Sequence, residues 1–134
     1  MPQHWLFKTE PVDYSYDDLE REGRTVWSGV HNALALKNLR QLRIGDQILI
    51  YHTGSEKAIV GLAEAVSDPY PDPDANDEKL LVVAIRPLRR FSQRATLQQI
   101  KNCAELADFD LVRLPRLSVM PVTDRQWEVI LDLL

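Results

Sequence analysis

A six-residue stretch, Trp27-Ser28-Gly29-Val30-His31-Asn32, places a large flat ring, a flexible turn and two hydrogen-bonding side chains close together in the chain. A flat ring beside fixed donors and acceptors can recognise a planar heterocycle, because stacking supplies binding energy and the polar edge of the ligand supplies identity. Tryptophan is also common in hydrophobic cores, and composition alone leaves both interpretations open. Trp27 is therefore a candidate wall of a ligand site.

A second polar group, Tyr51-His52-Thr53, ends an alternating apolar segment. The alternation predicts a strand, and polar side chains at the end of a strand can reach a pocket. The alternative is a capped strand end in which His52 forms internal hydrogen bonds.

Sequence motifs of common enzymes and metal sites are missing from the chain. It contains no Gly-x-Ser-x-Gly elbow, no glycine-rich phosphate loop and no His-Glu-x-x-His pair. Three histidines, His4, His31 and His52, show no metal-ligand spacing, and the single cysteine, Cys103, excludes both an intrachain disulfide and a zinc site built from cysteines. We therefore predict no metal site, no cofactor and no catalytic residue.

Alternation and apolar runs predict the strands that would position these groups. Glu10-Pro11 should end the first strand, because proline cannot donate to a ladder and restricts the residue before it. Gly61 interrupts a later strand, where a glycine marks either a bulge or the close approach of another group to the sheet. Residues 68–74 are proline-rich and predict a long loop without regular structure. The predicted strands are residues 4–9, 47–53, 58–66 and 79–85, the last ending at Arg86-Pro87, and residues 112–122 should be extended.

Four polar residues stand where they can cap the first turn of a helix. The predicted caps and their helices are Ser15 before 16–21, Asn32 before 33–41, Thr96 before 97–102 and Thr123 before the final helix. In that final helix Trp127, Ile130, Leu131 and Leu134 recur at helical spacing, so we expect Trp127, like Trp5, to face the core.

Length and composition predict one domain, residues 1–134, with an α+β fold. Apolar residues make up 45% of the 134 residues, which is enough for a hydrophobic core. Because neither a targeting segment nor a run of about 18 apolar residues is found, we expect a cytoplasmic protein without a membrane partner. The net charge of −4 argues against binding long nucleic acid through phosphates alone.

Several motifs stand in the order found in EVE-domain proteins and together span nearly the whole chain. The chain is therefore similar to the EVE domain family, within the PUA-like superfamily. The motifs are Trp5-Leu6-Phe7-Lys8-Thr9-Glu10-Pro11, Trp27-Ser28-Gly29-Val30-His31-Asn32, Gly45-Asp46, Tyr51-His52-Thr53, the loop from Asp68-Pro69 to Asp72-Pro73, and Arg116-Leu117-Ser118-Val119.

The resemblance implies a small PUA-like β-barrel of about five or six strands with flanking short helices. It also implies non-catalytic recognition of a modified, flipped base in DNA or RNA, as in the related YTH and thymocyte nuclear protein groups. In such a site the base stacks on Trp27, and polar groups read its edge. The implied pocket residues are Thr9, Trp27, His31, Asn32, Tyr51, His52, Thr53, Leu117 and Ser118, and the implied phosphate contacts are Lys8, Lys37 and Arg40.

Three positions depart from the pattern that the family usually shows. Thr9 and Thr53 replace serines, which keeps the hydroxyl and adds a methyl group. His31 replaces an arginine, which removes a permanent positive charge and a bidentate donor. A phosphate or carbonyl contact at His31 should therefore be weaker or dependent on pH.

Two other functions remain as alternatives. One is a small enzyme acting on a nucleobase or nucleoside, with His31 or His52 as acid or base. The other is a protein-interaction module that binds through the proline-rich residues 68–74.

Overall fold

The computed structural model describes residues 3–134, and this part of the chain has seven strands and five short α-helices. A 3-10 turn lies at Ala104–Leu106. The strands are β1 (His4–Thr9), β2 (Thr25–Trp27), β3 (Gln47–His52), β4 (Ala58–Ala65), β5 (Tyr70–Pro71), β6 (Leu81–Thr96) and β7 (Val119–Val122). The helices are α1 (Tyr16–Glu22), α2 (Ala33–Gln41), α3 (Leu97–Lys101), α4 (Asp110–Arg113) and α5 (Asp124–Leu131).

The strands form one sheet in the order β2-β6-β4-β3-β1-β7, and β5 pairs with β6 beside this path. β1 and β3 run parallel, and their register places Thr9 beside His52. The sheet curls into a half-barrel flanked by the short helices. The predicted α+β class is therefore confirmed. The resemblance implies about five or six strands and the structure has seven in residues 3–134. The residue pattern missed β2 and β5, which are too short to produce a period-two alternation.

All four predicted helix caps are present. The side chains of Ser15, Asn32, Thr96 and Thr123 each accept a hydrogen bond from a backbone N–H in the first turn, at 3.0 to 3.2 Å. These bonds satisfy donors that the first turn of a helix leaves unpaired. Within residues 3–134 no helix is long and apolar enough to cross a membrane.

Strand β6 continues well beyond Pro87, where the sequence predicted its end. Ala63 of β4 faces Pro87 and the preceding Leu62 faces Arg89, so β6 has one extra residue at this point. Proline is tolerated at such a bulge because the ladder there needs no N–H from it. The prediction failed because a bulge depends on the neighbouring strand.

Two further segments differ from their predictions. Residues 112–122 are not extended throughout, because α4 runs to Arg113 and buries Leu111, and β7 begins only at Val119. The proline-rich loop contains β5, in which Tyr70 and Pro71 face Val82 and Leu81 of β6. A proline can stand in such an edge strand because its missing N–H faces away from the partner.

The buried face of α5 is shifted from the predicted one. Gln126, Val129 and Ile130 are buried, whereas Leu131 is 39% exposed. Trp127 is half-buried and stacks on the His4 ring, with centroids 3.9 Å apart. Trp5 is buried in the core, as predicted.

The buried carboxylate of Asp46 joins three parts of the fold. Oδ2 accepts hydrogen bonds from the Trp5 indole N–H and the Arg43 backbone N–H, and Oδ1 accepts one from the Gln3 backbone N–H, each at 2.9 Å. These bonds tie the start of β1 to the turn between α2 and β3. Asp46 therefore fixes the end of β1 that lies opposite Thr9.

Replacing Asp46 by alanine should lower the free energy of unfolding by about 2 to 4 kcal/mol, because the buried Trp5 indole and two backbone N–H groups lose their acceptor. Urea unfolding measures this loss. Asp68→Ala is the matched control, since Asp68 is exposed and accepts one backbone N–H, from Ile44 at 2.9 Å. Equal losses in the two variants would contradict the special position of Asp46.

Gly61 lies directly beneath the ring of Tyr16. A Cβ added at Gly61 would lie 2.2 Å from Tyr16 Cε1, and the Tyr16 hydroxyl donates to the Leu62 carbonyl at 2.6 Å. The pairing of β4 with β6 also shifts register between Ile59 and Gly61. Gly61 therefore lies at a bulge and also allows the close approach of another group, so both interpretations drawn from the sequence are correct.

Gly61→Ala should destabilise the fold by about 3 kcal/mol, because the tyrosine ring has to move to admit the methyl group. The cost should shrink in a Tyr16→Leu background, where the ring is absent, and a double-mutant cycle by urea unfolding measures the difference. The same cost in both backgrounds would mean that the backbone at Gly61, and not the ring, imposes the glycine.

Candidate functional site

A cleft of about 430 Å³ opens where the end of β1, the turn before α1 and the end of β2 meet. The Lys8 backbone N–H donates to the Ser118 carbonyl at 2.9 Å, which brings the segment before β7 to the same place. The lining residues are Lys8, Thr9, Glu10, Asp13, Tyr14, Thr25, Val26, Trp27, Ser28, Gly29, Val30 and Ser118.

Trp27 forms the aromatic wall of this cleft together with Tyr14. The Trp27 ring packs against Phe7 with centroids 5.5 Å apart, and Tyr14 meets it edge-on at 5.9 Å. The chain turns away immediately afterwards at Gly29, whose φ of 81° is in the left-handed region. Only 8% of Trp27 is exposed, so Trp27 is both a core residue and part of the cleft wall. Its ring is held by its neighbours in the core and does not project into solvent.

Lys8 brings the positive charge of the cleft. Its Nζ donates to the Pro115 carbonyl at 2.7 Å and lies 5.8 Å from the centroid of the Tyr51 ring. Burial lowers the pKa of this ammonium group. Tyr51 is 3% exposed, and it lies beneath Lys8 rather than in the lining of the cleft.

Two hydroxyl-bearing residues named from the sequence, Thr9 and Ser118, also line the cleft. The Thr9 hydroxyl donates to the Tyr14 carbonyl at 2.7 Å, which fixes the turn after β1. Its oxygen still has lone pairs that can accept a bond. The residues predicted from the sequence that line this cleft are therefore four: Lys8, Thr9, Trp27 and Ser118.

Glu10 lines the cleft, although the sequence placed it only at the end of β1 and within the first family motif and did not predict it as a site residue. Its Oε2 accepts a hydrogen bond from the Thr53 hydroxyl at 3.0 Å. Gly54, with φ of 77°, lies so close that a Cβ there would be 2.8 Å from Glu10 Oε1. Its position in the sequence could have identified Glu10 as a site residue, because Glu10 directly follows Lys8 and Thr9 at the same end of β1.

Four other lining residues lie outside every motif singled out in the sequence: Asp13, Tyr14, Thr25 and Val26. The Tyr14 hydroxyl donates to Glu22, and burial together with this carboxylate raises the pKa of Tyr14 to about 12. Tyr14 is therefore neutral over the physiological range. Asp13 and Tyr14 lie outside the regular elements and β2 is only three residues long, so no periodic pattern pointed to these residues.

His52 lies in the interior, away from the lining of this cleft. Its Nε2 accepts the Tyr16 backbone N–H at 3.0 Å, so its Nδ1 donates to Glu56, 2.7 Å away. Burial alone would raise the pKa of Glu56, but hydrogen bonds from His52 and Arg94 lower it overall. The internally bonded arrangement weighed for His52 in the sequence is the one observed.

The other predicted pocket residues do not line the cleft. The Thr53 hydroxyl donates to the Glu10 carboxylate, and His31 is exposed in the segment that connects β2 to α2. Asn32 uses its side chain to cap α2. It also lines a second groove of about 330 Å³ with Leu34 and with Arg113, Leu114, Pro115, Arg116 and Leu117.

The predicted phosphate contacts occupy two different surfaces. Lys8 lies in the cleft, whereas Lys37 and Arg40 are exposed on α2 outside both cavities. The second groove carries its own cations, Arg113 and Arg116. Arg113 pairs with Asp110 at 2.8 Å, and Arg116 has no ion pair within residues 3–134.

The three histidines that might have shared a metal have separate partners. His4 stacks on Trp127, His52 bonds Tyr16 and Glu56, and His31 is exposed. Within the described part of the chain, no group of three His, Cys, Asp or Glu side chains is placed to hold a metal ion.

Comparison with known proteins gives consistent matches along the whole chain. The sequence model of the EVE domain family matches residues 3–133. A protein from Rhodopseudomonas palustris, whose structure was solved by NMR, is 34% identical, with a TM-score of 0.92 and coverage of 98% of this chain and 92% of that chain.

A human relative carries functional information. Human thymocyte nuclear protein 1 is 27% identical to this chain over an alignment of 167 residues. The alignment covers 99% of this chain and 74% of that protein. The crystal structure of the human THYN1 protein in complex with 5-methylcytosine-containing DNA is similar to this chain, with 26% identity, a TM-score of 0.88 and coverage of 98% and 96% of the two chains.

Proposed function

The chain belongs to the EVE domain family, as its motifs predicted, and from this premise we propose that it recognises a modified nucleobase in nucleic acid through the Trp27 cleft. The observation that carries the proposal is the human relative bound to 5-methylcytosine-containing DNA, whose fold this chain shares over nearly its full length. The cleft volume of about 430 Å³ is in the range of small-ligand sites, so it suits one base rather than a paired duplex.

A base has to leave its stack to enter such a cleft. Flipping costs a few kcal/mol, and stacking on an aromatic wall returns about 1 to 3 kcal/mol per base. Trp27 and Tyr14 supply this wall, and the packing of Trp27 against both Phe7 and Tyr14 holds it in place before the base arrives. A preformed wall limits the ordering cost of binding.

The polar groups of the cleft then read the edge of the base. Thr9, Ser118 and Lys8, which line the cleft, supply hydroxyl and ammonium groups for this contact. Because Lys8 is held by the Pro115 carbonyl, its remaining protons point from a fixed position. This arrangement favours a particular base edge over general contact with phosphate.

The phosphates next to the flipped nucleotide would follow the second groove, past Arg113 and Arg116. Contacts there are few, and the chain carries a net charge of −4. Affinity should therefore fall only gently with salt, since the salt dependence grows with the number of phosphates neutralised. His31 lacks the permanent charge and the bidentate geometry of an arginine, so it adds little to this path.

Binding is proposed to be non-catalytic. Both histidines named as candidate acids or bases lie outside the cleft lining, and His52 has both ring nitrogens engaged. A modified nucleoside incubated with the protein should keep its mass, and any change of mass would support the enzyme alternative.

Trp27→Ala should abolish the preference for one modified oligonucleotide over its unmodified control, with a loss of affinity of about tenfold or more, because the base loses its stacking surface. Fluorescence anisotropy with oligonucleotides bearing methylated and hydroxymethylated bases measures it. Trp127→Ala is the matched control, since that ring stacks on His4 away from the cleft. Uniform binding across the panel by the wild-type protein would overturn the proposal.

Arg116→Ala should weaken every oligonucleotide alike and lower the slope of log affinity against log salt by about 1, because one phosphate contact is lost. Lys37→Ala tests the other phosphate path, along α2, in the same titration. If only Lys37→Ala changes the slope, the strand follows the helix and not the second groove.

A further inference from the structure

The second groove, of about 330 Å³, has more apolar lining than phosphate binding needs. Leu117 in this lining is buried and Leu114 is half-buried, whereas Pro115 is exposed and Leu34 is 42% exposed. Phosphates are held by cations and hydrogen-bond donors, and apolar side chains supply neither. Arg113 and Arg116 suit phosphates, but the apolar part of the lining is left for another group.

The groove adjoins the Trp27 cleft directly. The carbonyl oxygen of Pro115, which lines the groove, lies 2.7 Å from Nζ of Lys8, which lines the cleft. Leu117 lines the groove, and the next residue along the chain, Ser118, lines the cleft. A nucleotide in the cleft therefore has its covalent neighbour in the strand within reach of the groove.

The turn that separates the two cavities is held in place by hydrogen bonds. The Leu117 backbone N–H donates to the Leu114 carbonyl at 3.0 Å, which closes a turn with Pro115 and Arg116 at its centre. Proline fixes its own φ and suits the first central position of such a turn. Because Lys8 also bonds the Pro115 carbonyl, the groove is formed before a ligand arrives, which limits the ordering cost of binding.

The chemistry of the groove matches that of a nucleotide. A nucleotide joins a flat ring with apolar faces to a charged phosphate, and protein sites hold unstacked bases between aromatic or apolar side chains. Leu34 and Pro115 offer exposed apolar surface, and covering it removes that surface from water. Arg116 is exposed and has no ion pair within residues 3–134, so its guanidinium group is available to the phosphate.

We propose that the second groove binds the base of the nucleotide next to the one in the Trp27 cleft, with the face of that base on Leu34, Pro115 and Leu117 and its phosphate at Arg116. The inference rests on the proposed function and adds a second base site. Contact with the face of a base tolerates all four bases, and a purine gains more than a pyrimidine because it covers more apolar area.

The test uses single-stranded oligodeoxynucleotides with one central 5-methylcytosine, in which the neighbour on the 5′ side or on the 3′ side is adenine, thymine or an abasic spacer. The spacer keeps the phosphate, so it removes the base alone. On one side only, the spacer should weaken binding to the wild-type protein by about tenfold, the effect expected of one base contact, and adenine should bind more tightly than thymine. Fluorescence anisotropy measures these ratios.

Leu34→Ala should bring the ratio between the adenine and spacer oligonucleotides close to one and leave the affinity for the spacer oligonucleotide unchanged. Ile44→Ala is the matched control, since Ile44 is also an exposed apolar residue but lines neither cavity, and it should keep the wild-type ratio. A ratio that Leu34→Ala does not change would overturn the inference. The wild-type comparison needs no variant, so it can overturn the inference even if Leu34→Ala fails to fold.

The two levels of proposal fail in different ways. If 5-methylcytosine binds better than cytosine in a manner that depends on Trp27, but the spacer binds as tightly as adenine on both sides, the proposed function stands and the groove holds only the backbone. Equal losses with the spacer on either side would reflect stacking within the free strand and would also overturn the inference. Equal binding of the 5-methylcytosine and cytosine oligonucleotides would overturn the proposed function itself, and the inference with it.

Discussion

The buried carboxylate of Asp46 holds the start of β1 against the turn that begins β3, and the geometry of the cleft depends on this bond. Because β1 and β3 run parallel, fixing one end of β1 fixes the register of the whole strand. A slip of one residue would turn each side chain of β1 to the opposite face. The opposite end of the same strand delivers Lys8, Thr9 and Glu10 to the cleft.

The curl of the sheet brings Trp27, the aromatic wall of the cleft, to the end of β1. β2 lies at one end of the strand order and β1 near the other end, yet Phe7 of β1 and Trp27 of β2 pack together. Only a strongly curled sheet brings these strands together without pairing them. The register shifts between β4 and β6, including the one at Gly61, bend the middle of the sheet. The cleft is thus a product of curvature.

The distribution of charged side chains favours recognition of one base over binding to many phosphates of a long nucleic-acid backbone. Of the arginines on β6, Arg86, Arg90 and Arg94 pair with acidic side chains from other parts of the fold. Inside the cleft, Lys8 donates to the Pro115 carbonyl and Glu10 accepts from the Thr53 hydroxyl, so each has its own partner. Selection by complementary donors and acceptors needs such fixed groups, and it works in a chain of net negative charge.

The sequence alone determined the features that depend on near neighbours. Helix caps at Ser15, Asn32, Thr96 and Thr123 bond groups three residues away, so local residue order is enough to fix them. Tertiary structure decided which polar residues meet in the cleft, because Glu10 is held by Thr53 and Lys8 by Pro115 across long stretches of chain. It also decided that His52 points inward and that β6 passes through Pro87, since both depend on partners in other strands. Motif order located Trp27, but only the packed fold showed how little of its ring is open.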